Sequence, residues 1–145
     1  MLKPILRRGA PALAAAALLV AAPAFAQSYN YIKPAELKAR LQSPASKPLL
    51  IDIQVENEFA RAHLPGAVAT HAYPARSEAE RARLKPVLSR ILDSKEDVVI
   101  VCPGGGSGAK NTVDYLLSQG VPAGKLKILE KGQNGWPYPE LVTQK

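Results

Sequence analysis

Val98-Val99-Ile100-Val101-Cys102-Pro103-Gly104-Gly105-Gly106-Ser107-Gly108-Ala109-Lys110 is the stretch that decides how this chain folds. Its four consecutive β-branched residues suit a strand buried on both faces, as in the middle of a parallel sheet. The strand feeds directly into Cys102 and a glycine-rich turn. A helix is expected from about Ala109 to Gln119, with Gly120 closing it. Glycines accept positive φ, so consecutive N–H groups can converge on one point, and a helix N-terminus adds roughly half a positive charge. A thiol at the mouth of such a turn is expected to be held as a thiolate. The alternative is that Cys102 ends a buried strand as a small hydrophobe and the glycines only turn the chain.

Outward from this stretch, Leu49-Leu50-Ile51-Asp52-Ile53 is a second apolar run, interrupted by one acid. Leu126–Leu129 reads as a last strand, Ala67–Thr70 as a brief one, and Gln27–Ile32 as a lead that could form an edge strand. Pro34 sits well at the first turn of a helix running to Leu41. Glu56–His63 reads as a short helix with Phe59 facing inward. Ser77 with Glu80 three residues later makes a capping box. The helix it starts could reach Leu92, with Leu84, Leu88 and Ile91 on one face and Pro86 breaking or kinking it. Strands alternating with helices imply a parallel sheet covered on both faces. Ligands in such folds bind beyond the C-terminal ends of the strands, where Cys102 is placed.

The 145 residues are one domain's worth. Residues 1–26 read as a cleavable secretory signal: Lys3, Arg7 and Arg8 are basic, Pro11–Ala22 is apolar, and Ala24-Phe25-Ala26 is a small-x-small cleavage site. The apolar run falls short of the roughly 20 residues that span a bilayer, which disfavours an uncleaved membrane anchor. Arg7-Arg8 lacks the bulky apolar follow-up of twin-arginine export, so general secretion to a bacterial periplasm is expected. Residues 27–145 then form the domain, with sixteen basic against twelve acidic residues. No aromatic residues interleave with the cations as a nucleic-acid face requires. The single cysteine excludes an internal disulfide and a C-x-x-C redox pair. His63 and His71 have no Cys, Asp or Glu at ligand spacing, so no metal site is expected.

Three segments resemble the single-domain rhodaneses, a sulfurtransferase family. They are Ile51–Gln54 with Glu58–Ala67, then Val98–Ala109, then Lys131–Trp136 with Pro139. The resemblance implies an α/β fold: a three-layer α/β/α sandwich on a mostly parallel sheet of about five strands. It implies that Cys102 accepts a sulfane sulfur as a persulfide and passes it on, with no cofactor. The expected partners are a small anionic sulfur compound and a thiol or thiophilic acceptor, with a periplasmic partner protein as a further option. The anion-binding loop would be Gly104, Gly105, Gly106, Ser107, Gly108, Ala109 and Lys110.

The chain departs from the family pattern at two places. Gln54 stands where arginine is usual, and Ser107 stands at the fifth position after Cys102, where the family often carries arginine. Without that arginine, bidentate recognition of a dianion is lost and cysteine-phosphatase chemistry is disfavoured. Lys110, eight positions on, is the nearest cation, and Pro103 removes one N–H from the loop.

Asp52 would be costly if buried alone, so it is expected to have partners and to anchor a nearby loop rather than take part in catalysis. His63 is expected to be a structural hydrogen-bonder and His71 a surface-loop residue or a pocket liner. Trp136 could wall the site or simply pack, and Tyr73 and Tyr138 stay unassigned. Three functions compete: a sulfurtransferase using Cys102, a non-enzymatic carrier or binding module, and thiol redox chemistry, the last weakened by the absence of a resolving cysteine.

Overall fold

The computed structural model describes residues 9, 10, 21 and 27–144. The expected signal, residues 1–26, lies outside the described residues except at Gly9, Ala10 and Ala21. Five strands, β1 (Tyr31–Ile32), β2 (Leu49–Asp52), β3 (Val68–Ala69), β4 (Val98–Val101) and β5 (Leu126–Leu129), form one sheet in the order β1-β5-β4-β2-β3. Every pairing is parallel, as expected for crossovers made through helices. Ile100 pairs with Ile51 on one side and Ile128 on the other, so β4 is the central strand.

Side-chain alternation along β4 divides the interior in two. Val98, Ile100 and Cys102 join Ile51, Ile53 and Ile128 in one core, covered by Leu84 and Ile91 and by Ala109, Val113 and Leu116. Val99 and Val101 join Leu50 and Leu129 in a second core with Leu37, Leu64 and Trp136. Helix α1 (Pro34–Gln42) therefore covers one face, and α4 (Lys85–Asp93) and α5 (Ser107–Ser118) cover the other. This is the three-layer α/β/α arrangement with a five-stranded parallel sheet. It explains why β4 reads as an unbroken apolar run: both of its faces are dry.

The ends of several elements differ from expectation for local reasons. Helix α2 spans Glu56–Arg61, two residues shorter than expected, because Ala62 turns extended and His63 exchanges backbone hydrogen bonds with Thr143. The helix begun at Ser77 stops early: α3 is Glu78–Ala82, and α4 restarts at Lys85 with Pro86 in its first turn. A proline there needs no N–H partner, whereas inside a continuous helix its ring would meet the carbonyl of Ala82. Helix α5 begins at Ser107 rather than near Ala109, so Ser107 and Gly108 are helical and only Pro103–Gly106 form the turn.

The capping box is present in full. Glu80 N–H donates to Ser77 Oγ at 3.2 Å, and Ser77 N–H donates to Glu80 Oε2 at 2.9 Å. The Ser77 N–H, with that of Arg76, holds the Glu80 carboxyl below the usual carboxylate range. Replacing Ser77 with Ala is expected to lower stability by about 1 kcal/mol, measured by urea denaturation.

Candidate functional site

Cys102 follows β4 at the C-terminal end of the sheet, between the ends of β2 and β5. Its side chain is 1 % accessible, so the thiol lies beneath the turn rather than out in solvent. Gly105 N–H, brought round by a φ of 70°, donates to Cys102 Sγ at 3.0 Å. Lys110 N–H closes the first turn of α5 on Gly106 O at 3.1 Å. The N–H groups of Ser107, Gly108 and Ala109 are then the unpaired donors that begin every α-helix. Gly105 N–H and these first-turn groups, which follow it directly along the chain, make up the backbone cradle of the Cys102 turn.

A turn made of proline and glycines cannot hold its own shape, and its neighbours impose it. After β5, Gln133 N–H donates to Cys102 O at 2.8 Å and Asn134 N–H donates to Pro103 O at 3.0 Å. Gly132, at φ 61°, lies so close that a β-carbon there would overlap both of those carbonyl oxygens. Gly105 packs in return against β5, where a β-carbon would fall 2.8 Å from Leu129 O and 2.9 Å from Lys131 N. The two backbones thus interlock through two glycines. Among the described residues, Gln133 Oε1 is a buried side-chain acceptor without a hydrogen-bond partner, and it belongs to this turn.

The remaining expected site residues lie elsewhere. Lys110 Nζ stands 5.5 Å from the centroid of the Tyr29 ring, whose hydroxyl donates to Asp114, so its charge is engaged with the N-terminal segment. Asp52 pairs with Val101 in register and alternates with Leu50, which places its side chain toward the face opposite Cys102. There Asp52 Oδ1 accepts from Gln54 N–H at 2.9 Å and Oδ2 from Gln54 Nε2 at 3.0 Å, while Nε2 also donates to Ala62 O. His63 stacks on Phe59 at 3.9 Å, with Nδ1 2.7 Å from Phe59 O. Trp136 is buried in the core under α1 and donates from Nε1 to Tyr138 O at 2.9 Å.

Gly132 and Tyr73 are the site residues that sequence reasoning did not assign. The Tyr73 ring lies against Gly108, and only the three-dimensional contact reveals that. Two surface cavities avoid Cys102. One of about 750 Å³ lies among Pro48, Leu49, Arg90 and Glu96, at the opposite end of the sheet, and one of about 410 Å³ lies beyond β1 and β5, with Lys33 and Lys131 in its lining. Among the described residues no group of three His, Cys, Asp or Glu side chains is placed to hold a metal, and no helix is long and apolar enough to cross a membrane.

Residues 33–137 match the family model of the rhodanese-like domain, and the chain belongs to that family. Similar solved structures include a rhodanese-like domain protein from Staphylococcus aureus, 24 % identical, covering 80 % of this chain and 98 % of that one, with a TM-score of 0.59. An As-Sb reductase from Leishmania major is 20 % identical over 81 % of this chain and 87 % of its own, with a TM-score of 0.62. A thiosulfate sulfurtransferase from Pseudomonas aeruginosa is 24 % identical over 81 % of this chain and 20 % of its own length, with a TM-score of 0.58. At these identities the likenesses establish the fold. No curated protein sequence matches the chain at a significant level. The chain is therefore a sulfurtransferase-like module of rhodanese fold, a family that handles sulfur compounds and thiol acceptors.

Two measurements probe this arrangement. Gly132→Ala puts a β-carbon onto the Cys102 and Pro103 carbonyls at a positive φ, and is expected to cost more than about 2 kcal/mol in urea denaturation. The second concerns Asp52, which is fully buried. Burial pushes its carboxyl up to about 6, against the opposing pull of the Gln54 N–H and amide. A carboxyl raised on folding binds more protons in the folded state, so its contribution is fully present below pH about 4 and is lost as pH rises through about 6. Asp52→Asn is expected to gain on wild type by up to about 3 kcal/mol between pH 4 and 7, read as the difference between paired denaturation curves.

Proposed function

We propose that the chain is an exported sulfurtransferase that carries sulfane sulfur as a persulfide on Cys102. The observation that carries this reading is the Gly105 N–H on Sγ at 3.0 Å, in a turn that leads directly into the first turn of α5. An anionic sulfur in that place is stabilised by backbone dipoles alone. In the loading step the Cys102 thiolate attacks the outer sulfur of a donor. A new S–S bond forms, the donor's bond to that sulfur breaks, and the leaving group departs with the electron pair. A thiol or other thiophilic acceptor then attacks the outer sulfur of the persulfide and regenerates the Cys102 thiolate. The basic start, apolar run and Ala24-Phe25-Ala26 site support export to the periplasm.

The cradle contains no cationic side chain of its own, since Ser107 occupies the position where the family often has arginine. That favours compact monoanions over dianions, because a divalent charge gains most from a guanidinium fork. The same feature favours a second reading, a binding or carrier module without turnover. Incubation with thiosulfate and with an organic persulfide, followed by intact mass measurement, separates the two. Gain of one sulfur atom, absent in Cys102→Ser, is the expected result, with loading from the organic persulfide the faster. Stoichiometric ligand binding that survives Cys102→Ser, with no sulfur gain, overturns the sulfurtransferase reading.

A further inference from the structure

The segment 71–75, on the β2 side of the cradle, is held far more firmly than a surface connection requires. His71 and Ala75 both have φ of 56°, a left-handed conformation that residues with side chains seldom adopt and that persists only where surroundings impose it. Those surroundings are explicit. Tyr73 N–H donates to Ile53 O at 2.8 Å and Ala75 N–H to Ala72 O at 2.6 Å, and His71 Nδ1 lies 2.9 Å from Gln54 O. From the helices, Arg83 donates to His71 O, Arg81 to Ala75 O and Asn111 to Pro74 O, at 2.8, 3.1 and 3.0 Å.

The residue this framework presents is Tyr73. Its side chain is not sunk into a core: the residue is 37 % exposed. Its ring rests on Gly108, where a β-carbon would fall 2.6 Å from Cε2 and 2.7 Å from Cδ2. Gly108 is the second residue of α5, and its N–H is one of the cradle donors. Ile53, whose carbonyl anchors Tyr73, donates its own N–H to Val101 O at 2.9 Å, next to Cys102. The Gly132 backbone thus lies against the turn on the β5 side, and the Tyr73 ring lies against the start of α5 on the β2 side. The thiol between them is almost inaccessible.

We infer that Tyr73 is the specificity-determining wall of this site, admitting compact sulfur donors and excluding bulky ones. The inference deepens the sulfurtransferase reading and rests on it for the identity of the substrate. A matched pair of donors tests bulk alone: methanethiosulfonate and benzenethiosulfonate are both monoanions. Each gives its outer sulfur to the Cys102 thiolate and leaves as a sulfinate with the electron pair of the broken S–S bond. Wild type is expected to load faster from the methyl donor. Tyr73→Ala is expected to narrow that preference by about tenfold, and Tyr73→Phe to leave it unchanged. Tyr73→Leu keeps an apolar body on Gly108; it moves the preference in the same direction by less, and takes the place of the alanine variant if that does not fold. Equal preference in wild type and both shortened variants overturns the inference, as does an equal fall in loading from both donors.

Alkylation of Cys102 by iodoacetamide and by an N-aryl maleimide gives a readout independent of sulfur chemistry. The shortened variants are expected to accelerate the maleimide selectively. If neither donor loads wild type, the sulfurtransferase reading fails, and the alkylation ratio still decides the role of Tyr73. An unchanged ratio removes the wall.

Discussion

The approach of the Gly132 turn to the Cys102 and Pro103 carbonyls is the contact on which the rest of the site depends. Proline and glycine side chains carry almost no packing information, so the turn after β4 has no means of fixing its own path. Its path is fixed from outside, by two N–H donors after β5 and by two glycines whose missing β-carbons let the backbones interlock. Only with the turn pinned does Gly105 N–H reach the sulfur. The order of strands serves the same end. Because β5 is the direct neighbour of β4, the connection leaving β5 is already beside the turn it must hold.

The electrostatics follow from that construction. A cradle built from backbone has donors but no side-chain cation, and Ser107 does not supply one. Lys110, the nearest candidate in sequence, has its ammonium 5.5 Å from the centroid of the Tyr29 ring. Positive potential at the sulfur therefore comes from peptide dipoles, which are fixed in direction and do not rearrange when a charge arrives. On the opposite face the replacement of arginine by Gln54 has a parallel effect. The Asp52 carboxylate keeps its hydrogen bonds to Gln54 but has no arginine beside it, and burial outweighs the pull of those bonds and of His63 and His71, so its pKa rises.

Most of the framework was legible along the chain because it rests on local or periodic signals. The strand Val98–Val101 is an apolar run and Leu126–Leu129 is one interrupted only by Lys127, the Ser77 capping box is a four-residue pattern, and Pro86 marks a break by its own chemistry. The start of α5 was less legible. Ser107 and Gly108 look like loop residues, yet the pinned turn leaves only four residues before the helix must begin. The role of Tyr73 had no signal at all, since it meets Gly108 through a fold-back that spans thirty-five positions of chain.

The sequence by itself determined that a lone cysteine ends the central buried strand of a parallel α/β sheet and precedes a glycine turn and a helix. Strand burial, glycine freedom and helix polarity are properties of adjacent residues, so they can be read in order. Only the tertiary structure decided which of the nearby polar and aromatic residues share the thiol's surroundings. It put Tyr73 and the Gly132 turn at the cradle, sent Asp52 and Trp136 to the other side of the sheet, and stacked His63 on Phe59. The physical reason is the pleat: one residue's difference in register reverses the face a side chain occupies, and the partner on that face comes from a distant part of the chain.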